Sequence, residues 1–390
     1  MTIENLANFE QLCTGCFSCA NICSKNAIQK KYREDGFFYP SIDSSLCVNC
    51  SACLNVCPIN LEKRHNAILK IYSAAAKDVK IRNKGSSGAI FPLLSDEIIK
   101  EGGVVYGAVF SREKIVYHTS TDNTELAKML RSKYVQSDVG FVYRNVEKNL
   151  LNSQRVFFSG TPCQIRGLKT YLEKKRINTD LLLTMDFMCH GVPSPKYFEE
   201  LLTRLEKEEN ATIQDVTFRE KSCGWRKQRL NIYFTNGGKR QYLSLNTPSY
   251  YYFLNNYNLR KSCYTCEEFS THVSDITVAD HWTVDKSRDD DTGISLVFIH
   301  SKKGVEYVQS VLKQCDFEEI SQNSFNEKMY SHEKYSTKNR EKWITAYSKK
   351  GEEYVSRSLF KKEKRKNSIR KSLNRYLSYI KKIIKMVVKR

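Results

Sequence analysis

The chain has 390 residues, of which 41% are hydrophobic and 27% charged, with fourteen cysteines and a formal net charge of +20. That length predicts two or three domains rather than one core; no run of eighteen apolar residues is present to cross a membrane, and no zinc-finger, RNP or basic-aromatic pattern points to nucleic acid. The N-terminus, MTIENLANFEQLC, has neither a basic start nor an apolar stretch, so cysteines in this number are expected to ligate metal in a reducing, cytoplasmic compartment.

The first predicted unit covers residues 1–64. "LCTGCFSCANICS", residues 12–24, holds a C-x2-C-x2-C-x3-C run, and a second copy follows at 47–57. In two-cluster ferredoxins the fourth cysteine of each run ligates the other cluster. The spacing thus assigns Cys13, Cys16, Cys19 and Cys57 to one 4Fe-4S cluster, and Cys47, Cys50, Cys53 and Cys23 to another. Zinc sites pair two C-x2-C hooks and lack the trailing fourth cysteine. Between the runs, "YREDGFFYPSID" predicts a hairpin turning at Asp35–Gly36. The expected fold here is an α+β ferredoxin-like dicluster domain, followed by the polar linker "NLEKRHN".

Residues 67–330 predict a larger α/β domain with a mixed sheet. "ILKIYSAAA" reads as a strand, 87–103 as a helix stopped by Gly102–Gly103, and "VVYGAVF" as a buried strand. "RVFFSG" then enters a helix with Pro162 in its first turn, "LLLTMDFMCHG" is a strand, and "SPKYFEELLTRLEKE" a capped helix. The strands "IQDVTFRE", "LNIYFTN", "DITVAD" and "ISLVFIH" surround Cys263 and Cys266, and 302–315 reads as a helix. The C-x2-C of Cys263 and Cys266 favours a metal. Cys163 and Cys189, each at a strand end, read equally well as small buried residues, and Cys223 and Cys315 read as structural. "NKGSSGAIF" places small residues and free N–H groups at a helix start, a weak phosphate signal. Lys133 and Tyr134 in "RSKYVQS" suit a phosphate or a ring, although as single residues they read as surface. No G-x-G-x-x-G is present.

Residues 331–390 predict a helical extension with a basic amphipathic tail. Thirteen Lys/Arg against Glu363 give residues 361–390 a charge of +12 and leave +8 for the remainder. Apolar residues at Ile369, Leu373, Leu377, Ile380, Ile384 and Val387 form a stripe. Such a helix suits an anionic membrane surface, placing the protein peripherally at its inner face; a solvated basic tail and a helix docked on a partner are the competing readings.

Taken in order, "KGSSGAIFPLLSDEIIKEGGVVYGAVF", "RSKYVQS", "FFSGTPCQIRGL", "CHGVPSP", "FREKSCGW", "RKSCYTC" and "SDITVADHW" resemble the coenzyme F-420 hydrogenase/dehydrogenase beta-subunit family over roughly residues 70–300. Ala89 departs from that family's Ser-Ser-Gly-Gly loop, and His281 and Thr283 depart from its Asp-Phe-Trp-Gly. The resemblance implies a flavin, generally FAD, beside a 4Fe-4S cluster in the α/β body. It places Ser86, Ser87, Gly88, Ser132, Lys133 and Tyr134 near the flavin, and it strengthens the expectation of a third cluster on Cys163, Cys189, Cys263 and Cys266. The function it implies is an iron–sulfur flavoprotein oxidoreductase. Its electrons would come from a one-electron donor such as ferredoxin and pass to a small-molecule or protein acceptor that the sequence does not identify. His190 and Asp280 are candidate proton donors, with loop packing and a turn cap as their structural readings. Two other classes compete: an electron-transfer subunit without a substrate site, and a scaffold whose clusters are structural.

Overall fold

The computed structural model describes residues 2–62, 65–267, 271–321 and 335–369. In the N-terminal module, α1 (Phe9–Leu12) and α2 (Ser18–Ile22) flank the first cysteine run, and α3 (Ala52–Asn55) lies in the second. Between them β1 (Ile28–Tyr32) and β2 (Phe38–Ile42) pair antiparallel, Tyr32 opposite Phe38. Gly36 supplies the positive φ of 75° that the turn needs. Phe9, Phe17, Ile28, Phe37, Phe38 and Tyr39 close a small core against Cys13, Cys19 and Cys57. So few apolar residues make a marginal core by themselves, and a bound cluster would add to it.

The body continues with β3 (Lys70–Ala76), α4 (Val79–Lys84), α5 (Ile90–Lys100), β4 (Val104–Ser111), β5 (Ile115–Thr121), α6 (Leu126–Met129) and α7 (Val142–Leu151). Next come β6 (Val156–Ser159), α8 (Pro162–Lys174), β7 (Leu182–Phe187), α9 (Pro195–Glu209), β8 (Ile213–Glu220), β9 (Arg229–Phe234), β10 (Lys239–Leu243) and α10 (Pro248–Leu254). β11 (Ile276–Asp280), β12 (Ser295–Ile299), α11 (Lys302–Leu312), β13 (Cys315–Glu319) and α12 (Lys338–Tyr354) complete it. Among the described residues, eight strands form one mixed sheet in the order β13-β3-β12-β11-β7-β6-β4-β5. Its centre is parallel: β4 with β6, β6 with β7, and β7 with β11.

Alternation along the strands buries both faces. Val105 and Val109 of β4 join Leu93, Leu94 and Ile98 of α5 and Val308 and Val311 of α11. Val104 and Tyr106 join Tyr143 and Val146 of α7 and Ile165 and Leu168 of α8 on the other side. A separate three-stranded sheet, β10-β9-β8, packs on Phe198, Leu201 and Leu205 of α9. The strand-rich region 212–300 is therefore split between two sheets.

Two expected boundaries shift. The helix expected over 87–103 starts only at Ile90, because Ala89 takes a left-handed φ of 66° and residues 85–89 form a loop. The helix expected over 302–315 ends at Leu312, and Cys315 instead opens an edge strand opposite Ala76. Of the basic tail, residues 361–369 are helical and 370–390 lie outside the described residues. Glu363 is buried and accepts from Tyr257 Oη at 2.6 Å and from Lys342. No helix among the described residues is long and apolar enough to cross a membrane.

Candidate functional site

The two cysteine runs fold alike. In the first, Gly15 and Phe17 bracket Cys16 with φ of 73° and 56°. In the second, Asn49 and Ser51 bracket Cys50 with φ of 54° and 60°. Alternating handedness turns successive N–H groups inward, a concavity suited to the thiolate-ligated cluster, which is anionic as a whole although its iron–sulfur core is cationic. The pairing that results is crossed. Cys13, Cys16, Cys19 and Cys57 line one cavity of about 220 Å³, and Cys23, Cys47, Cys50 and Cys53 line another of about 30 Å³.

Electrostatics favour a cationic occupant of the first cavity. Burial pushes the Cys19 thiol well above its ordinary range, and neighbouring Cys16, Cys13, Cys57 and Cys53 push it further. Burial, then Cys16, lifts Cys57 to about 12. Four thiolates this close repel one another unless metal neutralises them, and metal coordination deprotonates such thiols outright. Among the described residues no three His, Cys, Asp or Glu side chains close on a single ion. The cysteines ring cavities instead, which suits a cubane with a separate iron for each thiolate.

The body cysteines come together beyond the C-terminal ends of two central strands of the sheet. β6 and β7 are parallel neighbours, so their C-terminal ends deliver Cys163, at the start of α8, and Cys189 to the same side. Ligand sites form beyond such strand ends. Cys263 and Cys266 arrive on the loop after α10. Burial raises the Cys189 thiol well above its ordinary value, and the charges of Cys263, Cys163 and Cys266 add to it. Burial lifts Cys263 to about 11, with Cys163 adding to it. This four-thiol donor set fits a third 4Fe-4S cluster by the same argument. Cys266 also lines the cavity of Cys13, Cys16, Cys19 and Cys57, so the two thiol groups adjoin.

The serine loop and the 132–134 segment meet at Ser86 Oγ and Ser132 Oγ, 3.0 Å apart. Ser87 and Gly88 turn inward instead. Ser87 Oγ donates to Ile294 O at 2.7 Å, and Gly88 N–H donates to Ser295 Oγ at 2.9 Å. Any Cβ at position 88 would overlap Ala74 O, so close backbone approach explains that glycine. Lys133 Nζ donates to the carbonyls of Lys128 and Leu130 at 2.7 and 2.8 Å, and burial lowers its ammonium to about 7. Tyr134 packs on Phe253 and Tyr250 and adjoins the cluster that holds Leu259, Tyr264 and Cys263. Lys221 Nζ donates to Ser87 O at 2.9 Å; burial, then Arg219, Arg131 and Arg82, hold it near 7. The guanidinium groups of Arg82, Arg131 and Arg219 near this loop suit an anionic ligand such as the pyrophosphate of FAD.

His190 and Asp280 are anchored. His190 Nε2 lies 3.2 Å from Phe253 O and Nδ1 lies 3.1 Å from Tyr335 Oη. Asp280 Oδ1 accepts from Arg219 at 2.8 Å and from Trp225 Nε1 at 3.4 Å. Trp225 in turn stacks on Trp282, centroids 4.5 Å apart.

Sequence reading missed the contacts that seat the module on the body. Ser18 Oγ donates to Gly167 O at 2.7 Å. Arg144 donates to the carbonyls of Ala20, Asn21 and Cys23. Arg260 Nε donates to Cys13 O at 2.7 Å, and Gln136 Nε2 to Thr14 O at 3.2 Å. The signal is weak in the sequence because each contact joins residues more than a hundred positions apart.

Two family models match parts of the chain. Residues 12–61 match the family model of the 4Fe-4S dicluster domain, and residues 153–323 match that of the C terminus of the coenzyme F420 hydrogenase/dehydrogenase beta subunit. No curated protein matches the chain. Among solved structures it is similar to a chain of the F420-reducing [NiFe] hydrogenase complex from Methanosarcina barkeri, at 16% identity and a TM-score of 0.47, covering 72% of this chain and 90% of that one. The chain thus carries a segment similar to the 4Fe-4S dicluster domain at residues 12–61 and one similar to the C terminus of the coenzyme F420 hydrogenase/dehydrogenase beta subunit at residues 153–323.

Proposed function

We propose that this chain is an iron–sulfur flavoprotein oxidoreductase whose clusters form one line into the body. Electrons enter at the cluster of Cys23, Cys47, Cys50 and Cys53, since Cys50 is exposed and can face a one-electron donor such as reduced ferredoxin. They continue through the cluster of Cys13, Cys16, Cys19 and Cys57 to a body cluster on Cys163, Cys189, Cys263 and Cys266. The observation that carries this reading is Cys266, which lines the same cavity as the four cysteines of the inner module cluster.

FAD fits beside Ser86, Ser132, Tyr134 and the surrounding cations, and would supply the conversion of single electrons into two-electron chemistry. The segment 132–136 links the two places: Ser132 touches Ser86, and Gln136 touches Thr14 next to Cys13. Five extended residues span at most about 18 Å. Ser87 and Gly88 shape the loop from behind. His190 and Asp280 act as positioning residues, the first behind Cys189 and the second on Arg219.

Anaerobic purification, iron analysis and flavin release test the proposal. We expect about twelve iron atoms per chain from three cubanes, and one flavin freed by acid precipitation. Cys263→Ala is expected to lose or convert one cluster, whereas Cys315→Ala keeps all three. A flavin-free supernatant from iron-replete protein removes the flavin from the proposal. Unchanged iron and spectra in Cys263→Ala remove the body cluster. Flavin-loaded protein that reduces only artificial acceptors belongs to the electron-transfer-subunit reading.

A further inference from the structure

Arg260 is a fully buried cation at the inner module cluster, with a relative exposure of 0%. Its Nε donates to Cys13 O at 2.7 Å, and its Nη1 donates to Phe38 O at 3.1 Å and to Gln136 Oε1 at 3.0 Å. Its Nη2 lies 3.6 Å from Cys13 Sγ. The guanidinium also covers the Tyr39 ring at 4.1 Å. These partners are carbonyls, an amide, a ring and a thiol; among the described residues no carboxylate bonds it. The nearby Asp35 carboxylate is held by Arg340 at 2.7 Å.

A buried, uncompensated guanidinium is costly, and natural proteins pair or neutralise such charges. Beyond Asp35, which Arg340 already engages, the negative charge beside it is that of the thiolate-bound cluster. Adding one electron makes that cluster one unit more negative without moving a proton. A fixed cation in a water-excluded site therefore stabilises the reduced form more than the oxidised form. The same residue lies three positions before Cys263, and its N–H donates to Val192 O at 2.9 Å. One side chain thus ties the inner module cluster to the loop that carries two body thiols.

We propose that Arg260 is a positioning residue that raises the reduction potential of the cluster on Cys13, Cys16, Cys19 and Cys57. This makes that cluster a favourable intermediate stop for electrons. The inference rests on the cluster assignment proposed above, but it can fail independently of it. The test is an anaerobic potentiometric titration of the full chain followed by EPR. The cluster in question is identified as the one whose signal survives both Cys50→Ala and Cys263→Ala. In Arg260→Gln its midpoint is expected to fall by at least a tenfold change in the one-electron equilibrium, about 59 mV, while the other module cluster keeps its midpoint. Arg260→Lys retains charge and is expected to recover part of the shift.

Should Arg260→Gln fail to fold, Gln136→Glu asks the same question with the guanidinium in place. A carboxylate at that position neutralises Nη1 and is expected to lower the same midpoint. Iron-loaded variants with unchanged midpoints overturn the role of Arg260 and leave the cluster assignment standing. Wild-type protein that shows no 4Fe-4S signal after reconstitution overturns the assignment, and the inference with it.

Discussion

At Gly167, two effects of opposite sign meet. Replacing this helical glycine with alanine favours α8 by about 1 kcal/mol through propensity. An added Cβ, however, would stand 2.8 Å from Cys16 Cβ, 3.0 Å from Cys16 Sγ and 2.7 Å from Ser18 Oγ. Those neighbours are a proposed cluster ligand and a hydroxyl hydrogen-bonded to Gly167 O, so neither can move freely. Overpacking of this kind costs about 1–3 kcal/mol. We expect Gly167→Ala to be destabilised overall, with a lower denaturant midpoint under anaerobic conditions; a raised midpoint would show that the module does not pack this closely. The buried histidines carry a pH dependence. Burial holds His118 and His300 near 4, against an ordinary value of 6.5. Between those values the unfolded chain binds protons that the native state refuses, so stability falls as pH drops from about 6.5 towards 4. His118→Gln is expected to flatten that slope in unfolding midpoints measured across the window, and an unchanged slope would count against it.

Among the elements, those carrying the chemistry were the most legible. "RVFFSG" followed by Pro162 gives β6 and α8 with little ambiguity, and "LLLTMDFMCHG" gives β7, because buried parallel strands read as continuous apolar runs. β10 and β13 were not legible. "KRQYL" buries no residue fully and "CDFEE" buries only Cys315, so neither shows a core face. Strand order was hidden for another reason: β3 pairs with β12 across more than two hundred residues, and no local pattern encodes that partner. The eight module cysteines declared themselves by spacing. Cys163 and Cys189 did not, since each is alone in sequence, and only parallel strand ends unite them. Arg260, Arg144 and Gly167 act entirely through distant contacts and left no local trace. α8 also shows how its first turn is held: Thr161 N–H donates to Gln164 Oε1 at 3.0 Å, and Gln164 Nε2 donates to Ser137 Oγ at 3.0 Å. Both side chains are buried. Gln164→Leu leaves an orphaned N–H beside Cys163 and is expected to cost about 1–3 kcal/mol. Thermal unfolding reports it, and a variant as stable as wild type would show the bond to be dispensable.

For the whole molecule, what matters is that the module is fixed to the body rather than tethered by its linker. Arg144 on α7 carries much of that attachment. Its Nε donates to Asn21 O at 2.7 Å, its Nη2 to Ala20 O at 3.0 Å and Cys23 O at 2.7 Å, and its Nη1 to Asn26 Oδ1 at 2.8 Å. Carbonyls at the end of α2 have a second lone pair to offer, so a cation there adds a partner and suits the dipole. Ser194 Oγ donating to Gly36 O at 2.9 Å and Arg340 donating to Asp35 at 2.7 Å hold the hairpin side. Hydrogen bonds from a charged donor contribute about 1.5–3 kcal/mol, so Arg144→Ala removes a sizeable part of the docking energy without altering any thiol. We therefore expect iron content to stay at the wild-type level while hydrogen exchange quickens across residues 18–27. Electron delivery is expected to separate by route. Reduction of the body by a protein donor acting through the exposed Cys50 cluster becomes slower, because the relay geometry is no longer fixed. Reduction by a small diffusible reductant that reaches each centre directly keeps its rate. Wild-type exchange in α2, or equal slowing by both routes, would mean that Arg144 does not hold the relay in register.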